Sequence, residues 1–127
     1  MPGISDLATL LATLRPERRP GEYVYVDALP DGVPAEASVR ESEGWSYVVA
    51  RADADARGLD YDFVAAWIEL RVYSALEAVG MTAAFAAALG EAGIPANVIA
   101  GLRHDHVLVP AERADDALAA LEALAAR

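Results

Sequence analysis

The chain has no cysteine, which excludes a disulfide framework, a thiolate zinc site and a cysteine nucleophile together and fits a reducing compartment. It has no lysine either, so a Schiff base, a phosphate-loop lysine and a lysine general base are excluded. All 10 basic side chains are arginines, set against 20 carboxylates for a net charge of −10. That balance repels nucleic acid and anionic membrane surfaces, because phosphate binding needs a basic patch, and neither is expected as a partner. Long apolar runs are missing too. The longest, Ala78 to Leu89, is alanine-rich and stops at Gly90-Glu91, short of the roughly 20 residues that a membrane span requires. Met1 is followed by Pro2, Gly3 and Asp6, without a basic start or an apolar run before Arg15-Pro16-Glu17-Arg18-Arg19. No secretory signal is read there, and a soluble cytoplasmic protein is expected. A length of 127 residues suits one ordinary domain or two small fused modules with a buried core.

Ile4, Leu7, Leu10, Leu11 and Leu14 recur at three- and four-residue spacing and predict a short helix, with Ser5 or Asp6 near its start and Pro16 and Pro20 ending it. Tyr23 to Ala28 alternates as a strand and closes at the turn Pro30-Asp31-Gly32. The polar stretch Ala35 to Gly44 holds one edge strand through Ser38, Val39 and Arg40, and Trp45 to Ala50 is a firmer strand. Asp53 to Arg57 reads as a helical turn stopped by Gly58, and Leu59 to Phe63 as a connection.

The second half is more regular. From Ala66, Ile68, Leu70 and Val72 face one way, while Trp67, Glu69, Arg71 and Tyr73 face the other as a solvent or polar interface surface. Ser74 to Val79 reads as a loop. A helix opens at Gly80-Met81-Thr82, buries Met81, Phe85, Ala88, Leu89 and Ala92, and ends at Gly93 ahead of Pro95. Ala96 to Ala100 and His104 to Val109 are returning strands. A last helix from Pro110 carries Glu112, Asp115 and Asp116 early, at the positive end of its dipole, and Ala114, Ala117, Leu118, Leu121 and Leu124 inside. The fold class predicted is α+β, a ferredoxin-like antiparallel sheet with helices on one face.

Four segments carry a family resemblance: Val79-Gly80-Met81-Thr82-Ala83-Ala84, Gly93-Ile94, Asn97-Val98-Ile99-Ala100-Gly101, and His104-Asp105-His106-Val107-Leu108-Val109-Pro110. Together they resemble the ACT-domain family, and more narrowly small bacterial tandem proteins related to the cytosolic arginine sensors of animals. The resemblance is dense from Trp67 to Leu121 and weaker at Trp45-Ser46-Tyr47-Val48-Val49. It implies two ACT-type βαββαβ modules per chain, residues 1–62, irregular, and residues 63–127. It also implies a non-catalytic sensor that holds a small molecule, typically an amino acid, where two modules meet, and that forms a homodimer. No cofactor is expected.

In such a pocket the loop Val79-Gly80-Met81-Thr82 would offer amides to the ligand. The physical logic is independent of the family, because free amides at a helix start attract a carboxylate and glycine permits close approach. A tight turn that needs glycine, with Thr82 capping, would produce the same residues. By the resemblance, the strand with Asn97, Val98 and Ile99 presents backbone groups to the ligand. Asn97, the only asparagine, could add its side chain or instead bond a neighbouring loop. Asp105 aligns with the aspartate that faces a cationic ligand in the sensors, and a carboxylate at a desolvated wall would pair with an ammonium or guanidinium. A solvated strand-start aspartate is the competing reading.

His104 and His106 share a strand face at a spacing that would suit two metal ligands, but Asp105 points the other way, so a surface or interface pair is preferred and no metal is expected. The pairs Asp53/Asp55, Asp60/Asp62 and Asp115/Asp116 read as solvated faces and linkers. Ser46 and Ser74 lack any surrounding nucleophile motif, which makes a hydrolase a weak contender. Two more functions are compatible with the sequence. One is an adaptor that associates through an open sheet face with Trp67, Tyr73 and Trp45; the second is a small enzyme built on His104, His106 and Asp105.

Overall fold

The computed structural model describes residues 6–72 and 79–125; the expectations for Ile4, Ser5, Tyr73 and Ser74, and for the loop up to residue 78, fall outside them. Helix α1 (Leu7–Thr13) begins at Asp6. The Asp6 carboxylate accepts the Thr9 hydroxyl at 2.7 Å and the Thr9 backbone N–H at 2.9 Å. Those bonds hold its carboxyl below the ordinary aspartate range and close off donors that the first helical turn leaves unpaired.

Strands β1 (Arg15–Arg18) and β2 (Tyr23–Val26) follow, then β3 (Ala37–Glu41), β4 (Gly44–Ala50), helix α2 (Arg51–Ala56) and strand β5 (Val64–Arg71). Helix α3 (Met81–Glu91), strands β6 (Asn97–Ala100) and β7 (Asp105–Pro110), and helix α4 (Ala114–Ala125) complete the order. A single 3-10 turn over Ala111–Arg113 separates Pro110 from α4. β1 is a correction, since Pro16 was expected only to end a helix. Among the described residues it has a sheet partner on one side only, β5, the setting in which a proline without an N–H is tolerated.

The seven described strands form one antiparallel sheet in the order β3-β4-β2-β5-β7-β6, with β1 also on β5. β1 and β2 lie end to end along one edge of β5: Arg15 to Arg18 pair with Arg71 to Ile68, and Tyr23 and Val24 pair with Ala65 and Val64. Between them comes Pro20-Gly21, where Gly21 has φ +83°. Two four-strand sets with the same internal order overlap at β5, namely β1-β5-β7-β6 and β5-β2-β4-β3. The N-terminal segment therefore supplies the outer strand of the C-terminal set. In the N-terminal set, residues 27–36 join β2 to β3 without a helix.

Alternation along β5 divides the core in two. Ala66, Ile68, Leu70 and Val72 pack with Leu10 of α1 and Leu14 just after it, Met81, Phe85 and Leu89 of α3, and Ala117 and Leu121 of α4. α2 adds Ala54 over Val24, Val26 and Val49 on the same face, because Val24 pairs with Val64. Each large side chain buried there contributes roughly 1.5–3 kcal/mol, so these short helices are held by the sheet rather than by their own propensity. The opposite face carries Tyr23, Val48, Ala65, Trp67 and Leu108 as a second cluster, with Ala37 and Ile99 packed against it from the edge strands β3 and β6. The sheet curls toward this face, so β3 and β6 look at one another across a cleft.

Trp67 is consequently not a surface residue: it is 2 % exposed. Arg19 lies over its ring at 4.2 Å, and the Tyr23 ring meets it edge-on at 5.3 Å. Trp45 belongs to the other face, the face of Val49, and stacks on Tyr47. Of the residues on which an adaptor would rely, Trp67 is buried and Trp45 lies exposed on the opposite face.

Candidate functional site

The residues singled out in the sequence separate into two regions. One is the corner where β5 ends, α3 begins and β7 starts. Gly80 caps α3 in the left-handed region, φ +97°, and among the described residues no side chain caps the helix start. Its carbonyl accepts the Ala84 N–H at 2.9 Å, and a Cβ at Gly80 would meet Leu7 Cδ2 at 3.0 Å. The left-handed conformation therefore favours glycine, and a Cβ would also press on the Leu7 side chain. Val79 and Thr82 are exposed, whereas Met81 is a core residue at 2 % exposure. Of the four loop positions, then, Met81 offers only its backbone.

Asp105 lies in this corner, opposite Leu70 and Ala100 on the helix-bearing face of the sheet. It is half-buried, and the loss of water raises its carboxyl pKa, with His106 pulling the other way. His104 precedes β7, its Nδ1 lying 3.1 Å from the Val72 carbonyl oxygen. His106 points to the concave face, where Trp67 Nε1–H donates to its Nδ1 at 3.0 Å. The accepting Nδ1 puts the ring proton on Nε2. Burial first, and then the Arg19 charge, lowers the His106 pKa. The two histidines do not share a strand face as expected, because β7 starts only at Asp105. No three His, Cys, Asp or Glu side chains among the described residues could hold a metal ion together. Gly101 closes the turn between β6 and β7; a Cβ there would lie 2.8 Å from the His104 carbonyl oxygen and 3.0 Å from His106 Nε2.

Asn97, Val98 and Ile99 do not join that corner as a unit. Asn97 begins β6 at its far end, opposite Leu108, and its Nδ2 donates to the Leu108 carbonyl at 3.3 Å. Register puts Asn97 and Ile99 on the concave face and Val98 on the helix face. Asn97 instead lines an open cleft of about 1100 Å³ together with Tyr25, Asp27 and Ser46. The connection Asp60-Tyr61-Asp62-Phe63 forms its other wall. Past Tyr25, Ser46 and Asn97 it narrows into a space of about 370 Å³ between Ala37–Val39 of β3 and Ala96–Ile99 of β6. Tyr25 and Phe63 have ring centroids 6.4 Å apart, and burial raises the Tyr25 pKa. Sequence reasoning left Asp60 and Asp62 in a linker. The signal available was the alternation of acid and aromatic over residues 60–63.

Comparisons place the chain among known proteins. Family models of the ACT domain match residues 2–66 and 63–123. A Vibrio cholerae protein of unknown function, described as a possible transport protein, is 41% identical, with 94% of this chain and 95% of that one covered and a TM-score of 0.83. A protein from Agobacterium tumefaciens is 18% identical, with 88% and 89% covered and a TM-score of 0.71. The ligand-free regulatory subunit of aspartate kinase from Thermus thermophilus is 13% identical, with 88% and 96% covered and a TM-score of 0.66. These last two share the fold. No curated protein matches the chain. Among the described residues, no helix is long and apolar enough to cross a membrane.

Proposed function

Because the chain belongs to the ACT-domain family and carries two of its domains in tandem, we propose that it is a non-catalytic regulatory protein whose ligand is an amino acid or similar zwitterion. The observation that carries the assignment of a site is the start of α3, where left-handed Gly80 leaves the first amides of the helix without a side-chain cap among the described residues. Those amides, from Met81 and Thr82, would take the ligand carboxylate, and the dipole of the helix favours a negative group there. Val79 edges the same approach. Asp105, at the neighbouring strand start, would take the ammonium. Asn97 and Ile99 are left out of this pocket because register turns them to the concave face. The reading includes a homodimer joined through β6, an uncharged strand that has no strand partner along one side among the described residues. It also retains a division of the chain near residue 62. Signalling would follow from the difference in ligand affinity between packing states, since a ligand shifts an equilibrium by no more than that difference.

The test is a thermal-shift screen of the proteinogenic amino acids on the wild type and on Asp105→Asn. Binding to the folded state alone raises the melting temperature by mass action. One amino acid, or a few related ones, should raise it by several degrees in the wild type and not in Asp105→Asn. A screen without any shift, or a shift untouched by the substitution, rejects the assignment. Asp105 is preferred to Gly80 for this purpose, since any Gly80 variant would also disturb α1 through Leu7.

A further inference from the structure

The cleft on the concave face is on the opposite side of the sheet from the α3 corner, and its lining chemistry has one sign. Asp27, Asp60 and Asp62 are exposed along it, and among the described residues they form no ion pair. No arginine or histidine among the described residues lines it. Arg51 lines the adjoining hollow with Asp62, Phe63 and Pro95, and it is already held by Glu22 at 2.8 Å, by the Tyr61 hydroxyl at 2.9 Å and by Asp55 at 3.8 Å. The walls add the rings of Tyr25, Tyr61 and Phe63, whose faces attract cations. Asn97 gives its Nδ2 to the Leu108 carbonyl, which leaves Oδ1 as an acceptor, and Ser46 adds a hydroxyl. The narrower inner space has apolar side chains at Ala37, Val39, Val48 and Ile99.

We propose that this cleft binds an aliphatic diamine or polyamine. Ammonium groups would sit among the three carboxylates and the aromatic faces, and methylenes would run into the apolar inner space. A carboxylate on the ligand would meet charges of its own sign, and the nearest cation, Arg51, is already engaged by Glu22 and Asp55, so the cleft selects amines that lack one. That separates its ligand class from the zwitterion assigned to the α3 corner. A simple metal cation is disfavoured for a different reason: aromatic faces and an apolar groove cannot replace its tightly held water or oxygen ligands.

The experiment is calorimetric titration of the whole chain at low salt with 1,5-diaminopentane, with spermidine and with Mg²⁺, and of the Asp105→Asn chain, whose α3 corner is disabled, with lysine (the carboxylated counterpart of the diamine). The two amines should bind saturably, lysine at least about tenfold more weakly, and Mg²⁺ should not displace the amines at equal concentration. The double variant Asp60→Asn/Asp62→Asn removes two exposed charges and should weaken the diamine about three- to tenfold, and Tyr25→Ala should weaken it independently. Unchanged melting temperatures without ligand would establish that the variants fold. Asp105→Asn should leave diamine binding intact, which separates failure here from failure at the α3 corner. Absence of amine binding, equal affinity for lysine, displacement by Mg²⁺, or affinity untouched in the variants would each overturn the proposal.

Discussion

His106 is the residue at which burial, charge and tautomer meet. Its Nδ1 accepts from Trp67, its ring lies edge-on to that indole at 5.5 Å, and Arg19 lies over the face of the same indole. The charged groups facing it are Arg19 and His104, which disfavour its protonation, and Glu69 and Asp105, which favour it. Burial outweighs them all, and the pKa falls below the ordinary 6.5. With the folded value below the unfolded one, the unfolded chain binds more protons in the window between them. Stability from this group is therefore complete above 6.5 and is lost as pH falls toward the lowered folded value. Asp105 acts in the opposite sense at lower pH, because its raised pKa makes protonation favour the folded state above the ordinary 3.8. His106→Gln keeps an acceptor for Trp67 and removes the titration. Denaturant melts between about pH 7 and pH 5 should show the wild type losing stability relative to His106→Gln as the solution becomes more acid. Parallel curves for the two proteins would place the pH response elsewhere.

Among the elements, α1 and β1 matter most for what they complete. Leu10 and Leu14 are buried with Ile68, Phe85 and Leu121, and β1 covers the end of β5 from Ile68 to Arg71. Leu14→Ala should cost about 2–5 kcal/mol, as for other fully buried leucines, measured by urea denaturation; a loss below about 1 kcal/mol would mean that the N-terminal segment is not part of the core. The leucine spacing made α1 readable in sequence, and alternation did the same for β2, β4 and β5. Gly93 and Pro95 marked the end of α3 for similar reasons, with Gly93 at φ +72°. β1 was not legible, because Arg-Pro-Glu-Arg has no apolar alternation and becomes a strand only through the open edge of β5. The burial of Trp67 was hidden for a related reason: a strand pattern gives two faces, but not the curl that fills the second. The glycine corner could be read locally at residues 79–82. The cleft could not, since Tyr25, Ser46, Asp60 to Phe63 and Asn97 come from four separate segments.

On the scale of the whole molecule, the overlap at β5 joins the two halves thermodynamically. Val64 and Ala65 pair with β2, Ile68 to Arg71 pair with β1, and Ala65 to Leu70 pair with β7 on the opposite edge. Loss of β5 would separate β1 from β7-β6 in one set and strip the outer strand from β2-β4-β3 in the other. Separate unfolding of the halves would also expose the cluster of Tyr23, Val48, Trp67 and Leu108, which draws on both. The cost of exposing that shared apolar surface, at roughly 25 cal/mol per Å², favours one transition over two. Trp67 reports on the junction and Trp45 on the outer end of β4, so the single-tryptophan variants Trp45→Phe and Trp67→Phe separate the two signals. Each variant should give a fluorescence midpoint that coincides with its own far-UV circular dichroism midpoint in urea. Noncoincident midpoints, with the Trp45 signal lost at lower urea in Trp67→Phe than the helical signal of the C-terminal half, would mean that the halves melt apart. The strand shared by both ACT modules is hydrogen-bonded to β1, β2 and β7 together, so it belongs to the cooperative unit of each half.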